Sequence, residues 1–293
     1  TPYHRPAGGT EDTVRRLDRA VLERVYRSAL DPERTTIIVA GEVAGIDVEG
    51  TVERLFGHWE RRPEAASARP IVARSALRGR RVRLVHRPGS VQSELRIGHL
   101  GVPRRAPDYH AMAVAGAILG GLFNSRLNMK LREEKGYTYG AGAGWDLRRG
   151  PGPFGARAAV NSEVTVAAIV DLLAELERMR EEPVTPAELA AARDYLVGVF
   201  PIRFETPGAV LGAIAGLAVH ELPDTELTEY RARIEAVTIE DVQRIARERI
   251  DLERLAIVMV GDADRVGDEL NAAGIGPVEV ERDEGPVQEG PTP

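Results

Sequence analysis

Residues 120–144 read GGLFNSRLNMKLREEKGYTYGAGAG: a glycine pair, a helical pattern and then alternating glycines. We predict a short amphipathic helix after the glycines. Ser125 is its candidate N-cap, because a serine hydroxyl can accept a hydrogen bond from a free first-turn amide. Lys135-Gly136 is the predicted end of the helix. The apolar side of this helix is predicted to consist of Leu127, Met129 and Leu131.

A strand with glycine at every second position is predicted next. In an extended chain one face would carry Tyr137, Tyr139, Ala141, Ala143 and Trp145, and the other Gly140, Gly142 and Gly144. A strand face without side chains permits close approach of another backbone. That backbone is either a packed helix of the same chain or a bound peptide, and the residues do not decide between these alternatives.

The composition indicates a globular protein of about two domains. The 293 residues are 43% hydrophobic and 29% charged, and the net charge of -6 argues against a general nucleic-acid-binding protein. No apolar stretch is long enough to span a bilayer, so we predict no membrane partner. The chain has no cysteine, which excludes disulfides and thiolate metal sites. A reducing compartment such as the cytoplasm fits this but does not follow from it.

Hydrophobic periodicity predicts an α/β protein with helices and strands along most of the chain. The predicted helices are 11–30, 48–59, 107–119, 164–182, 185–199, 207–222, 226–236 and 239–250. The predicted strands are 35–40, 81–86, 91–100, 138–146, 152–160 and 255–260. A turn at 87–90 is expected to join strands 81–86 and 91–100, and 138–146 is expected to form a hairpin with 152–160.

An internal repeat is the strongest sign of domain organisation. When the sequence is shifted by 220 residues, which brings Gly41 onto Gly261, a helix and a strand align with a second helix and strand without a gap. The aligned strands are IIVAGE (37–42) and IVMVGD (257–262). We therefore expect two homologous αβ units, of which the first is incomplete, with roughly 140 residues of its copy outside this chain.

The motif GG-x-x-x-SRL-x-x-x-LRE-x-x-G-x-x-Y at 120–139 resembles the signature of the second, non-catalytic domain of insulinase/pitrilysin-type zinc peptidases, which include the mitochondrial processing peptidases. PYHRPAGGT at 2–10 and TTIIVAGEV at 35–43 resemble the rear of their first domain. The resemblance implies α/β (α+β) units, each a twisted, mainly antiparallel sheet with helices on one face, closing as a clamshell on an unfolded peptide. The expected segments are a first-domain remnant at 1–72, a linker at 73–79, a second domain at 80–277 and a disordered tail at 278–293.

The catalytic domain of that family binds zinc through His-x-x-Glu-His, in which two histidines on one helix face hold the metal and the glutamate activates water. The motif is absent here, since no two of the six histidines lie within five residues. We therefore predict no catalytic residue, no metal ligand and no cofactor in this chain. Zinc is expected in a missing or partner catalytic domain. A zinc site built from His86, His99 and His110 is the alternative, but their spacing gives it no support.

The resemblance implies a substrate-holding role for Arg132 and Tyr139, because in that family an arginine and a tyrosine seven residues apart hold the substrate backbone. A guanidinium can donate to a peptide carbonyl or a carboxylate, and a phenol to an oxyanion. The alternative is a surface ion pair for Arg132 and a core position for Tyr139, with Tyr137 as the competing tyrosine. Gly120 and Gly121 resemble a substrate-proximal glycine loop, with plain helix termination as an equal alternative.

The leading prediction is the substrate-holding half of a zinc metallopeptidase, inactive on its own. Its expected partners are a peptide substrate and a zinc-bearing domain or subunit of the same family, or a second copy of the chain. Two alternatives stay open: a catalytically inactive structural relative of that family, or a peptide-binding module without chemistry.

Overall fold

The computed structural model describes residues 6–61 and 77–282, which form two compact units. The first unit contains residues 6–61 and 201–224, and the second contains residues 77–200 and 225–282. The predicted linker at 73–79 falls largely outside the described residues, so the domain limits stay a prediction.

Eleven α-helices and six strands lie within the described ranges. The helices are α1 (Glu11–Arg15), α2 (Arg19–Ala29), α3 (Val48–Phe56), α4 (Tyr109–Gly116), α5 (Arg126–Asn128), α6 (Thr165–Glu181), α7 (Pro186–Val199), α8 (Pro207–His220), α9 (Glu226–Ala236), α10 (Ile239–Arg249) and α11 (Ala263–Ala272). The strands are β1 (Arg81–His86), β2 (Gln92–Leu100), β3 (Ala141–Trp145), β4 (Pro153–Asn161), β5 (Ala256–Gly261) and β6 (Val278–Arg282). Helix α4 continues as a π-helix over Ala117–Gly121, and α5 as a π-helix over Met129–Glu134.

All six strands form one open, mixed sheet in the second unit, in the order β3-β4-β2-β5-β1-β6. The pairs β3–β4, β4–β2 and β2–β5 are antiparallel, whereas β5–β1 and β1–β6 are parallel. Burial alternates along the strands, so one face of the sheet packs on the helices and the other meets solvent. This is the α/β fold that the sequence predicts.

The core of the second unit forms where the buried face of the sheet meets the helices. Strand β4 contributes a buried residue at every second position, and Leu172 and Leu176 of α6 are fully buried in the same core cluster. The buried apolar side chains of the strands are Val82, Leu84, Leu95, Ile97, Ala141, Phe154, Ala156, Ala158, Val160, Ile257 and Met259.

Two predicted connections between strands are confirmed. The hairpin of 138–146 with 152–160 is formed by β3 and β4. The turn at 87–90 joins β1 and β2, and its Ser90 amide donates to the Arg87 carbonyl at 3.3 Å, but the two strands are not neighbours because β5 lies between them. The segment after β1 is held by the end of β5: the Arg87 amide donates to the Gly261 carbonyl at 2.8 Å, and the Gly89 amide to the Asp262 carboxylate at 2.9 Å. These bonds direct the chain past β5 instead of back along β1.

The predicted tail needs a correction at its start. Val278–Arg282 forms β6, which pairs in parallel with β1. Arg83 forms an ion pair with Glu281 at 2.6 Å across this pair, and Arg282 forms one with Asp264 at 2.6 Å. Backbone pairing and these charges order a polar segment that composition alone marks as disordered. The remainder of the predicted tail, 283–293, lies outside the described residues.

The helical part of the internal repeat is confirmed. Helices α2 and α10 are separated by 220 residues at both ends. Each begins with a side chain that accepts a hydrogen bond from the third residue of its helix: Asp18 from Val21, and Thr238 from Asp241. The predicted helix 11–30 is in fact two helices, because Asp18 caps a new start at Arg19. Thr10 caps the first of them, α1.

The strand part of the repeat is wrong for the first copy. Residues 35–40 form no strand, and Ile37 and Val39 are 44% and 52% exposed. A strand needs a neighbour for its amides and carbonyls, and no described strand pairs with this segment. Gly41 is therefore not at a strand end equivalent to Gly261.

The first unit exposes its apolar side chains. Among the described residues, every buried hydrophobic side chain lies between Val82 and Ile275 in the second unit. The large apolar residues exposed in the first unit are Val14, Leu17, Leu22, Val25, Tyr26, Leu30, Ile37, Val39, Val43, Ile46, Leu55, Phe56, Ile202, Ile214 and Val219. Within the described ranges the first unit therefore leaves much of its apolar surface uncovered.

No single described helix is both long and apolar enough to cross a membrane. Taken together, the successive segments Pro186–Phe204 and Pro207–His220 reach that length and hydropathy.

The glycines of the opening motif allow a helix to lie directly against β3. A Cβ atom on Gly120 would lie 2.1 Å from the Ala143 nitrogen and 2.8 Å from the Gly142 carbonyl carbon. The backbone that approaches the glycine-rich strand therefore belongs to the π-helix Ala117–Gly121, which decides the earlier alternative in favour of a packed helix. This contact gives Gly120 a structural role. The nearness of Gly120 and Gly121 to a substrate stays a prediction.

Gly120→Ala should destabilise the second unit, because its Cβ would overlap backbone atoms that cannot rotate away. We expect a loss of about 1–3 kcal/mol in the free energy of unfolding, measured by denaturant titration. Gly267→Ala in α11 is the matched control, because no atom lies within 4 Å of its added Cβ. It should not lower stability, since alanine favours a helix over glycine by about 1 kcal/mol. Equal stability of Gly120→Ala and wild type would contradict the close-packing role.

His99 is held as a neutral ring at the end of β2. Its Nε2 accepts a hydrogen bond from the Asp251 amide at 3.0 Å, so in the neutral ring Nδ1 carries the hydrogen and donates to the Leu100 carbonyl at 2.9 Å. Burial lowers the pKa of His99, and burial also lowers the pKa of His110 on α4. Both rings therefore resist protonation in the folded state.

Stability should decrease on acidification below the ordinary histidine pKa of 6.5, because the unfolded chain then binds protons at His99 and His110 that the folded chain does not. His99→Gln supplies a non-titrating acceptor to the Asp251 amide and should reduce the loss between about pH 7.5 and about pH 5.5 in thermal unfolding. His58→Gln, at an exposed position, should keep the wild-type loss. An unchanged pH dependence in His99→Gln would refute this role.

Candidate functional site

The helix of the opening motif begins differently from the prediction. The Ser125 hydroxyl caps no amide, and instead accepts a hydrogen bond from the Asn128 side chain at 3.2 Å. Leu127 and Leu131 are fully buried, whereas Met129 is 49% exposed. Residues four apart share a helix face and residues two apart do not, so the prediction for Met129 is wrong.

Arg126, in the SRL part of the motif, has a structural role. Its guanidinium donates twice to the Glu188 carboxylate of α7, at 2.6 and 3.2 Å. Burial alone would raise the pKa of Glu188, but hydrogen bonds from Arg126 and Thr185 outweigh burial and lower this pKa to about 2. The pair joins the motif helix to α7, and the Glu188 carboxylate stays charged throughout the neutral range.

The predicted stop at Lys135-Gly136 is confirmed. The Gly136 amide donates to the Arg132 carbonyl at 3.1 Å, and the Tyr137 amide to the Leu131 carbonyl at 2.8 Å. Gly136 adopts a φ of +65°, which favours glycine because it has no Cβ. This turn reverses the chain between Arg132 and Tyr139.

Asn128 ties together the three segments that surround the candidate site. Its side-chain NH₂ donates to the Leu122 carbonyl at 3.0 Å and to the Ser125 hydroxyl. Its side-chain oxygen accepts from the Ala141 amide at 2.8 Å. The residue is only 8% exposed, so these bonds are shielded from water. Sequence reasoning missed Asn128; the available signal was a poor helix former at a central helix position.

Tyr139 lies outside the core. It precedes β3 and is 95% exposed, and its hydroxyl has no hydrogen-bond partner among the described residues. The Thr138 hydroxyl donates to the Gly140 carbonyl at 2.9 Å and accepts from the Gly140 amide at 3.1 Å, which braces the backbone on both sides of Tyr139. Tyr137, by contrast, packs against the hydrophobic core. The core-aromatic alternative thus describes Tyr137 and not Tyr139.

The Arg132 guanidinium lies over the ring of Phe123, with its central carbon 4.2 Å from the ring centroid. Its nearest ionic neighbour is Glu133 at 3.5 Å, and within 6–61 and 77–282 it makes no side-chain hydrogen bond. About one third of the side chain is exposed. Arg132 therefore keeps donors available to a ligand, in contrast to the buried Arg126.

The structure places Arg132 and Tyr139 on the two sides of the Gly136 turn. No hydrogen bond or ring contact joins them in the part of the chain that the structure describes. Each instead has its own local support, Phe123 for Arg132 and the Thr138–Gly140 hydrogen bonds for Tyr139. The arrangement presents two independent hydrogen-bonding groups.

Metal binding gains no support from the described histidines. His86, His99 and His110 are not brought together; the one cluster of three possible ligands in those ranges is His86 with Asp262 and Asp264. In this cluster the Ala263 amide donates to His86 Nδ1 at 3.0 Å, so Nε2 of the neutral ring carries the hydrogen and has no lone pair for a metal. These residues do not fit a zinc site.

A known protein family matches a part of the chain that includes the motif at 120–139. A family model described as the peptidase M16 inactive domain matches residues 16–196, more than half of the chain. The chain belongs to this family. Membership agrees with the resemblance that the sequence shows to insulinase-type zinc peptidases.

Two bacterial proteins that are similar to this chain are named as zinc proteases. An uncharacterized zinc protease of Streptomyces coelicolor is 28% identical over 250 residues, which is 83% of this chain and 54% of that protein. An uncharacterized zinc protease of Mycobacterium tuberculosis is 27% identical over 265 residues, which is 88% of this chain and 59% of that protein. This M16 chain therefore spans little more than half the length of the relatives it matches.

A solved structure has the same fold. The crystal structure of a peptidase M16 inactive domain from Pseudomonas fluorescens superposes with a TM-score of 0.79 at 22% identity, and covers 89% of this chain and 62% of that one. The likeness confirms the fold of the M16 inactive domain.

Asn128→Ala should destabilise the M16 site region by about 1–3 kcal/mol, because the buried Ala141 amide loses its Asn128 partner. The Leu122 carbonyl loses one bond but keeps the one from the Ser125 amide at 3.1 Å. Hydrogen exchange at the Ala141 amide should increase more than exchange in β5. Asn271→Ala, which removes one exposed side-chain bond in α11, is the matched control and should change stability by about 0.5 kcal/mol or less. If exchange at Ala141 stays at its wild-type rate, Asn128 does not tie the segments together.

Proposed function

We propose that this M16-family chain holds an extended peptide for hydrolysis at a zinc site that lies in a catalytic domain of the same family, on the same polypeptide or on a partner subunit. The observation that carries the proposal is the pair of unpaired hydrogen-bonding groups on Arg132 and Tyr139. Both lie within the range that matches the family model, and Arg132 is about one third exposed while Tyr139 is almost fully exposed.

The chemistry of the two side chains suits a peptide backbone. The Arg132 guanidinium offers several N–H donors in one plane, which can bind a peptide carbonyl or a terminal carboxylate. The Tyr139 hydroxyl can donate to a second carbonyl. Two donors supported separately on a rigid turn recognise the backbone and not a particular side chain, so a broad range of unfolded sequences is the expected substrate class.

The exposure of Tyr139 supports a binding role over a core role. Burying a tyrosine ring lowers the free energy of the folded state more than leaving it in water. Tyr139 is nevertheless exposed, whereas Tyr137, two residues earlier, packs on the core. The exposed ring costs hydrophobic free energy that a bound peptide would recover by covering it. The names of the relatives as zinc proteases agree with a role in proteolysis.

Peptide binding by the full chain tests this proposal. The probe is a fluorescein-labelled, unstructured peptide of about twelve residues, followed by fluorescence anisotropy. Arg132→Ala should weaken binding by about tenfold or more, because a hydrogen bond from a charged donor contributes about 1.5–3 kcal/mol. Tyr139→Phe, which removes only the hydroxyl, should weaken binding by about two- to tenfold.

Tyr137→Phe is the control, since its ring packs on the core, and should bind as wild type does. Wild-type affinity in both Arg132→Ala and Tyr139→Phe would refute the proposal. A wild-type chain that binds no peptide would favour a structural role within the family. Binding without hydrolysis by the chain alone is the expected result for the wild type.

A further inference from the structure

Phe123 is an exposed aromatic residue inside the family motif. Its side chain is 68% exposed, although its neighbours Leu122 and Ser125 are buried. The backbone on both sides is fixed, because Asn128 binds the Leu122 carbonyl and the Ser125 hydroxyl. The ring is therefore held at the surface by the fold and is not the end of a loose loop.

The Phe123 ring supports the Arg132 guanidinium from one side. The central guanidinium carbon lies 4.2 Å from the ring centroid, within the range of a cation–π contact. A guanidinium donates in its own plane, so a ring beneath that plane restricts its motion without occupying its N–H groups. Arg132 is thus oriented while its donors remain free.

The geometry points to a composite subsite in which Arg132 binds a peptide carbonyl and the uncovered part of the Phe123 ring receives the adjacent side chain. Such a subsite selects peptides with a large apolar residue next to the carbonyl that Arg132 holds. This inference rests on the proposed function and goes beyond it, because backbone binding alone would not distinguish one side chain from another.

The position of the Glu133 carboxylate agrees with a preference for an apolar over an acidic peptide side chain. Its carboxylate lies 3.5 Å from the Arg132 Nε, so it opposes a second carboxylate from a peptide side chain at that position. An apolar side chain meets no such repulsion and removes aromatic surface from water.

Three fluorescein-labelled peptides that differ only in the central residue, Leu, Ala or Asp, test the subsite by anisotropy with the full chain. The Leu peptide should bind about three- to tenfold more tightly than the Ala peptide, as partial burial of an apolar side chain predicts. The Asp peptide should bind no better than the Ala peptide. A preference for Asp would mean that Arg132 recognises a side chain, and would overturn the inference.

Phe123→Ala should reduce the Leu-to-Ala affinity ratio to about one. Phe123→Leu keeps an apolar contact but removes the π face, so it should retain part of the ratio while every affinity falls by about two- to fivefold. This second variant keeps the test informative if the alanine variant folds poorly. Phe56→Ala, at an exposed phenylalanine of the first unit, is the control and should keep the wild-type ratio.

The outcomes separate this inference from the proposed function. Arg132→Ala should weaken the Leu and Ala peptides equally and leave their ratio intact, since it removes the carbonyl contact. A Leu-to-Ala ratio that persists in Phe123→Ala overturns the subsite and leaves backbone binding by Arg132 in place. A wild-type chain that binds none of the peptides overturns both.

Discussion

The hydrogen bonds of the buried Asn128 side chain are the constraint on which the site depends. One amide group joins the segment that carries Phe123, the helix that carries Arg132 and the start of the strand that follows Tyr139. A buried amide is costly unless it is satisfied, and here both its NH₂ and its oxygen have partners. The Asn128 oxygen also accepts the Ala141 amide on the edge strand β3, which lies in a buried position and would otherwise lose this partner.

The family motif contains two arginines with opposite environments. Arg126 is buried in a bidentate pair with Glu188 and joins the motif helix to α7. Arg132, six residues later, is stacked on an exposed ring and has free donors. The chain then turns at Gly136, and Tyr139 follows three residues later. One short segment thus supplies both the anchor of the fold and the exposed groups of the proposed peptide-binding site.

The sequence predicted the helices, the β3–β4 hairpin and the helix stop at Gly136, because periodicity and glycine chemistry act locally. It also predicted the turn that joins β1 and β2, but nothing local reveals that β5 inserts between these two strands. The strand predicted at 35–40 is wrong because a strand needs a neighbouring strand to pair with, and the local sequence does not show whether one is present. The predicted end of the second domain at 277 excluded β6, which depends on pairing with β1. Arg132 and Tyr139 came from the motif, whereas Asn128 and Phe123 were missed because their roles arise only from contacts made in the folded chain.

Photocrosslinking tests the central claim, that an extended peptide contacts the surface at Tyr139, most directly. The chain would carry p-benzoylphenylalanine in place of Tyr139 and be irradiated with a labelled, unstructured peptide of about twelve residues. We expect saturable crosslinking that excess unlabelled peptide suppresses, and only background labelling when Tyr195, an exposed tyrosine on α7, is replaced instead. Equal labelling at the two positions, or none at position 139, would contradict it.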